Sequence, residues 1–150
     1  MKRGFWSLFL ILFLAGPLFG RLSYSEWKNI QREFNQEFSK KKKEAIQAVK
    51  KLKNYDDPRV AELLIRKGFS HSDPFVILEA KKVLGSFRNP KTLDRIVSIV
   101  SRERKVELKF QLILVMGNFG KDPKVTSFLK NSLRDRNWKI LSATLRAIGM

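Results

Sequence analysis

Three glycines set the frame for this chain. Gly85, Gly117 and Gly149 stand 32 residues apart, each behind an apolar residue, in Leu84-Gly85, Met116-Gly117 and Ile148-Gly149. Phe87 and Phe119 follow two residues after the first two glycines. Nine residues before each glycine sit Val76, Leu108 and Ile140, five before sit Ala80, Leu112 and Thr144, and two before sit Val83, Val115 and Ala147. These apolar or small positions fall at helical spacing. An earlier copy is degenerate: Lys53 replaces the glycine, but Leu52 precedes it, Tyr55 matches the phenylalanine, and Asp57-Pro58 matches Asn89-Pro90. Self-similarity at such a period means that each unit buries its apolar face against its neighbours, and an atypical first unit suits a capping role.

The punctuation within each unit reads helix, short turn, helix. Asp57-Pro58, Asp73-Pro74, Asn89-Pro90 and Asp122-Pro123 place a capping side chain before a proline suited to the first helical turn. The Leu-Gly, Met-Gly and Ile-Gly pairs close helices, with glycine expected as a permissive C-terminal cap. Together these signals predict helices near 58–69, 74–86, 90–101, 105–118, 123–133 and 137–149. No stretch alternates with period two, so the class is all-α.

The segments DPFVILEAKKVLGSFRNPKTLDRIVSIV and VELKFQLILVMGNFGKDPKVTSFLKNSL, followed by DRNWKILSATLRAIG, resemble the HEAT-type repeats, in particular the short phycobilisome-lyase HEAT-like variety. The resemblance covers roughly residues 45–150. It implies a right-handed α-solenoid of stacked antiparallel helix pairs with a period of about 32 residues, and a binding role, since repeats of this kind serve many unrelated partners. The arginine common near the start of the first helix of such units is Ile77, Lys109 and Leu141 here. Neither the Trp-Leu-Gly-Tyr order of tetratricopeptide repeats nor the Thr-Pro-Leu-His motif of ankyrin repeats occurs.

Composition narrows the chemistry. The 150 residues contain no Cys and one His, which removes disulfide frameworks, thiol nucleophiles, Cys-based zinc sites and any His pair for a metal. His71, in Ser-His-Ser-Asp-Pro, reads as a loop residue beside a helix cap, because no acid pair, nucleophile motif or phosphate-cradling glycine loop accompanies it. We therefore expect no catalytic residues, no cofactor and no metal. The bilin-lyase activity reached by the resemblance lacks residues to carry it.

Residues 1–20 read as an export signal: Met1-Lys2-Arg3 is followed by an uncharged run from Phe5 to Phe19, broken by Gly16 and Pro17. An uncleaved N-terminal anchor is the alternative. Arg21 ends the run short of the about 20 apolar residues that a spanning helix needs. The expected organisation is a signal over 1–20, a basic amphipathic capping helix over 21–53, and HEAT-like repeats over 54–150 with the last incomplete. In the middle segment Ser23 to Glu26 forms a capping-box pattern ahead of Trp27, Ile30, Phe34 and Phe38, and a basic continuation begins at Lys40-Lys41-Lys42-Lys43. One reading packs this segment on the first repeat. The other rests Trp27, Phe34 and Phe38 in a lipid interface, with Lys40, Lys41, Lys42 and Lys43 on anionic head groups.

The charge points to a partner. There are 31 Lys and Arg against 14 Asp and Glu, a formal +17, and residues 1–20 contribute only Lys2 and Arg3. Arg102-Glu103-Arg104 and Arg134-Asp135-Arg136 repeat one pattern 32 residues apart. Lys91 and Lys124 follow equivalent prolines, and Arg66, Arg95 and Lys130 fall on the second helices of their units, which line the concave face in proteins of the resembled family. Stacked units would align these nine as a basic ridge or groove. The expected function is an exported, non-catalytic scaffold recruiting an acidic protein or other polyanion. Nucleic-acid binding through phosphate contacts is the alternative, opposed by the export signal. Finally, Trp138, Ile140, Leu141, Leu145 and Ile148 make the last helix too apolar to leave uncovered. Burial of such a side chain stabilises by roughly 1.5 to 3 kcal/mol. We therefore expect further repeats or another domain past residue 150, or self-association through this end.

Overall fold

The structure, a computed structural model, describes residues 21–149. The export-signal segment and Met150 lie outside the described residues. Eight α-helices account for most of what is described: α1 Tyr24–Phe38, α2 Lys42–Lys51, α3 Pro58–Lys67, α4 Pro74–Gly85, α5 Pro90–Arg102, α6 Val106–Met116, α7 Pro123–Ser132 and α8 Trp138–Ile148. Single 3₁₀ turns follow α2, α3 and α6. There is no strand among the described residues, and the chain is all-α. No helix there is long and apolar enough to cross a membrane.

The capping chemistry operates at each Asp-Pro or Asn-Pro start, while α6, with Lys105 at its N-cap, has no side-chain cap. Asp57, Asp73, Asn89 and Asp122 accept the N–H two residues on, from Arg59, Phe75, Lys91 and Lys124, at 2.8–3.1 Å, with a proline in the first turn each time. Asn137 does the same for Lys139 without a proline. A second local device stands two residues before three of the helix caps. The N–H groups of Asp73, Lys105 and Asn137 donate to His71 Nδ1, Glu103 Oε1 and Asp135 Oδ1, at 3.0, 2.7 and 2.8 Å. His71 is thus a turn acceptor, and its ring meets Phe38 edge-on with centroids 5.0 Å apart.

The helices pack in two rows. α2 lies on α4, α4 on α6 and α6 on α8, while α3 lies on α5 and α5 on α7; α1 covers α2. Consecutive members of the first row begin at Lys42, Pro74, Val106 and Trp138, each 32 residues after the last. In the second row Pro58 and Pro90 keep that spacing, but Pro123 comes one residue late. Gly120 takes up the extra residue with φ at 51°, a backbone region that L side chains resist. One hydrophobic cluster runs from Phe34 to Ala147, with Leu64, Leu84, Phe87, Ile96, Leu112, Ile113 and Met116 near its centre.

Two expectations change. The segment 21–53 is two helices. The Ser23–Glu26 capping box forms at the start of α1, but Ser39 to Lys41 break the rod, and α1 folds back on α2. The fold-back buries Phe34 and half-buries Phe38 against the first unit, which a straight helix over its four consecutive lysines could not do. Gly117 and Gly149 stand at the C-caps of α6 and α8 as expected, whereas Gly85 is the last residue of α4 and the cap there is Ser86. Gly117 and Gly149 are right-handed, and Gly120 is the only described residue of positive φ. At Gly85 space is tight: a Cβ there would stand 3.1 Å from Asn118 Nδ2, at the end of an exposed side chain.

Candidate partner-binding surface

The acids of this protein are few, and the fold uses most of them internally. Glu62 of α3 takes Arg66 Nη2 on Oε1 and Arg95 Nη2 on Oε2, both at 2.6 Å, so one carboxylate joins α3 to α5. Hydrogen bonding from Arg95, then from Arg66, outweighs burial and holds the Glu62 carboxyl below the usual range. Asp94 of α5 in turn takes Lys124 of α7. In the other row Lys109 of α6 pairs with Asp135 at 3.8 Å, and Lys139 of α8 with Glu107 of α6 at 3.6 Å. Exposed pairs of this kind contribute about 0–1 kcal/mol each, so their main effect is on register and on which cations stay free.

Asp57 is the most deeply buried of these acids. It is 3% exposed and accepts the N–H groups of Arg59 and Leu22 at 2.9 and 3.3 Å, with the Arg59 guanidinium at 3.0 Å. Arg59 also donates to the Leu22 carbonyl at 2.6 Å, tying the chain ahead of α1 to the start of α3. Burial alone would raise the Asp57 carboxyl, but the Arg59 and Leu22 hydrogen bonds override it and hold it low.

Among the nine expected partner-binding residues, Arg66, Arg95 and Lys124 are therefore engaged in ion pairs, while Lys91, Arg102, Arg104, Lys130, Arg134 and Arg136 form none among the described residues. The two Arg-acid-Arg turns share one construction. Glu103 and Asp135 bend back onto the turn N–H groups, and the four arginines beside them stand exposed. A groove of 340 Å³ brings Arg66, Arg95 and Arg102 together with Glu62, Glu103 and an apolar floor of Ile65, Ile99 and Leu108. Arg66 remains 74% exposed at its side chain, leaving guanidinium donors beyond the one that Glu62 takes. Lys91 lies elsewhere, in a 210 Å³ cleft with Arg21, Asp57 and Arg59.

The residues of the lipid reading do not share one outward face. Phe34 is buried and Phe38 stacks on it at 4.7 Å, so these rings face the protein; Trp27 is half-buried beneath the Arg59 guanidinium, 5.5 Å from its ring centroid. Lys42 pairs with Asp73 at 3.1 Å and lies 3.8 Å over the Phe75 ring, while Lys40, Lys41 and Lys43 are exposed.

A further basic site has no repeated charge pattern to mark it in the sequence. A cleft of 510 Å³ between α4 and α6 is lined by Lys81, Lys82, Arg88, Ser86 and Asn118, with no acid. Arg88, though exposed, donates there to the Gly85 and Phe87 carbonyls at 2.8 and 2.6 Å. Lys81 and Lys82 stand where the next unit has Ile113 and Leu114, so a search for repeated charge passes over them.

No protein-family model matches this chain, and no curated protein or solved structure matches it.

Proposed function

We propose that this protein is an exported, non-catalytic scaffold, a right-handed HEAT-like α-solenoid with a 32-residue period, whose exposed arginines recruit an acidic protein partner. The equal spacing of the first-row helix starts and the neighbour-to-neighbour packing of both rows support the repeat architecture. The observation that carries the binding reading is the construction of the two turns at 102–104 and 134–136. In each, the acid accepts a backbone N–H, Asp135 pairing with Lys109 as well, and two guanidinium groups are left without a carboxylate partner among the described residues. Guanidinium forks suit carboxylate recognition, and uncompensated charge steers association with an acidic surface. Export rests on the basic start and apolar run of residues 1–20.

The test is retention on poly-glutamate as a function of salt, comparing the wild type with Arg102→Ala, Arg104→Ala, Arg134→Ala and Arg136→Ala combined. Removing up to about four anion contacts should weaken binding and flatten its salt dependence, with helix content unchanged. An unaltered salt dependence would reduce these arginines to ordinary surface charge. Nucleic acid run beside the polypeptide separates the readings, because a duplex bound more tightly than poly-glutamate at equal salt would favour the phosphate-backbone alternative.

A further inference from the structure

Helix α8 leaves a stripe of apolar side chains facing solvent: Trp138 is 73% exposed, Leu145 58% and Ile148 50%, with Leu141 half-buried between them. The opposite side, Ile140, Ala143, Thr144 and Ala147, is the buried one. Two of these positions behave differently one unit earlier, while Val106, the counterpart of Trp138, is itself 37% exposed. Ile113 and Met116 of α6, 32 residues before Leu145 and Ile148, are completely buried, and α8 is the main neighbour of α6. The stripe on α8 is therefore built like a surface that a further helix covers in the preceding unit, and its large side chains exceed what an isolated exposed residue explains.

We infer that this stripe is a docking site for an amphipathic helix with acidic flanks, presented by a protein partner; the inference rests on the 32-residue repeat reading given above. The charge of the occupant follows from the α6–α8 contact. There Glu107 on the covered helix pairs with Lys139 on the covering helix, at 3.6 Å. The α8 residue in the position of Glu107 is Lys139 itself, so a helix covering α8 in the same manner meets a cation and must bring a carboxylate. α8 carries one other charge, Arg146, seven residues on and on the same side, and no acid. A second copy of α8 would bring Lys139 and Arg146 against their own kind, which disfavours self-pairing. The occupant's apolar side should resemble the inner side of α8, with small residues among aliphatics, because that is the surface that fits α6.

The probe is a pair of fluorescein-labelled, helix-stapled peptides of α8 length. Both keep Ile140, Ala143, Thr144 and Ala147 in register; one has Glu at the flanking positions and the other Lys. Fluorescence anisotropy with the full chain should give an affinity about tenfold or more higher for the acidic peptide. Leu145→Ser with Ile148→Ser should lower it by about tenfold or more while leaving the helical circular dichroism intact, because both side chains already face solvent. Binding should survive Arg102→Ala with Arg104→Ala, which separates this site from the arginine turns. Equal affinity for the two peptides would overturn the assignment, as would binding indifferent to the serine pair or no binding at millimolar peptide. Sedimentation as a dimer that the serine pair dissolves would also overturn it, naming a second copy as the occupant instead.

Discussion

Asp57→Ala removes the carboxylate on which the start of α3 and the chain ahead of α1 both depend. The side chain caps α3 through the Arg59 N–H, accepts the Leu22 N–H, and neutralises a guanidinium that itself holds the Leu22 carbonyl. Loss of an N-cap costs about 1 kcal/mol, and loss of a charge-assisted hydrogen bond about 1.5–3 kcal/mol. These contributions share one group and do not add, so the net expectation is about 2–4 kcal/mol. Asp57→Asn keeps a capping oxygen and should cost less, about 1–2 kcal/mol. The carboxyl is held below its unfolded value, so its contribution is present above the ordinary carboxylate range and fades as pH falls through the folded value. Urea unfolding followed by circular dichroism, at neutral pH and at successively lower pH, measures both effects. The wild-type and Asn stabilities should draw together on acidification. An Ala variant within about 0.5 kcal/mol of wild type, or a gap to Asn that stays constant down to low pH, would refute the reasoning.

Equivalent positions should respond unequally to truncation: Ile113→Ala should cost about 2–5 kcal/mol and Leu145→Ala under about 1 kcal/mol in the same urea assay, because one is covered and the other is not. Gly120→Ala should destabilise by about 1–2 kcal/mol, since its φ of 51° suits glycine, and thermal melting will read it. Glu62→Gln should weaken the α3–α5 junction only modestly, by about 1 kcal/mol, and remove a stabilising contribution that the wild type loses as acid protonates this depressed carboxyl. N-terminal sequencing of native material should find residues 1–20 absent; an intact Met1 in the cytoplasmic fraction would defeat export.

What could be read from the sequence was what local chemistry controls. Asp-Pro and Asn-Pro mark helix starts because the cap and the proline act within two residues, and α3, α4, α5 and α7 begin at those prolines. The break at Ser39–Lys41 was hidden because the apolar spacing runs on through it; only the docking of α1 on α2 reveals the turn. Glycine at position 85 suggested a cap, whereas the cap is Ser86 and the close neighbour of Gly85 is Asn118, brought near by the next unit. The candidate surface was legible in the same partial way. The Arg-acid-Arg turns stood out by their repetition, but which cations stay free depends on pairings across helices. Glu62 reaches Arg95 and Asp94 reaches Lys124 only once α3, α5 and α7 lie side by side. The Lys81–Lys82 cleft depends on α4 and α6 meeting, and its residues have no counterparts in the next unit.

Binding of an acidic polymer at the arginine turns is measured by an amide chemical-shift titration of the isotope-labelled chain with poly-glutamate at moderate salt. The largest shifts should cluster at 102–104 and 134–136 and extend into the groove at Arg66 and Arg95. Shifts spread evenly over every Lys and Arg, or centred on Lys81, Lys82 and Arg88 instead, would contradict it.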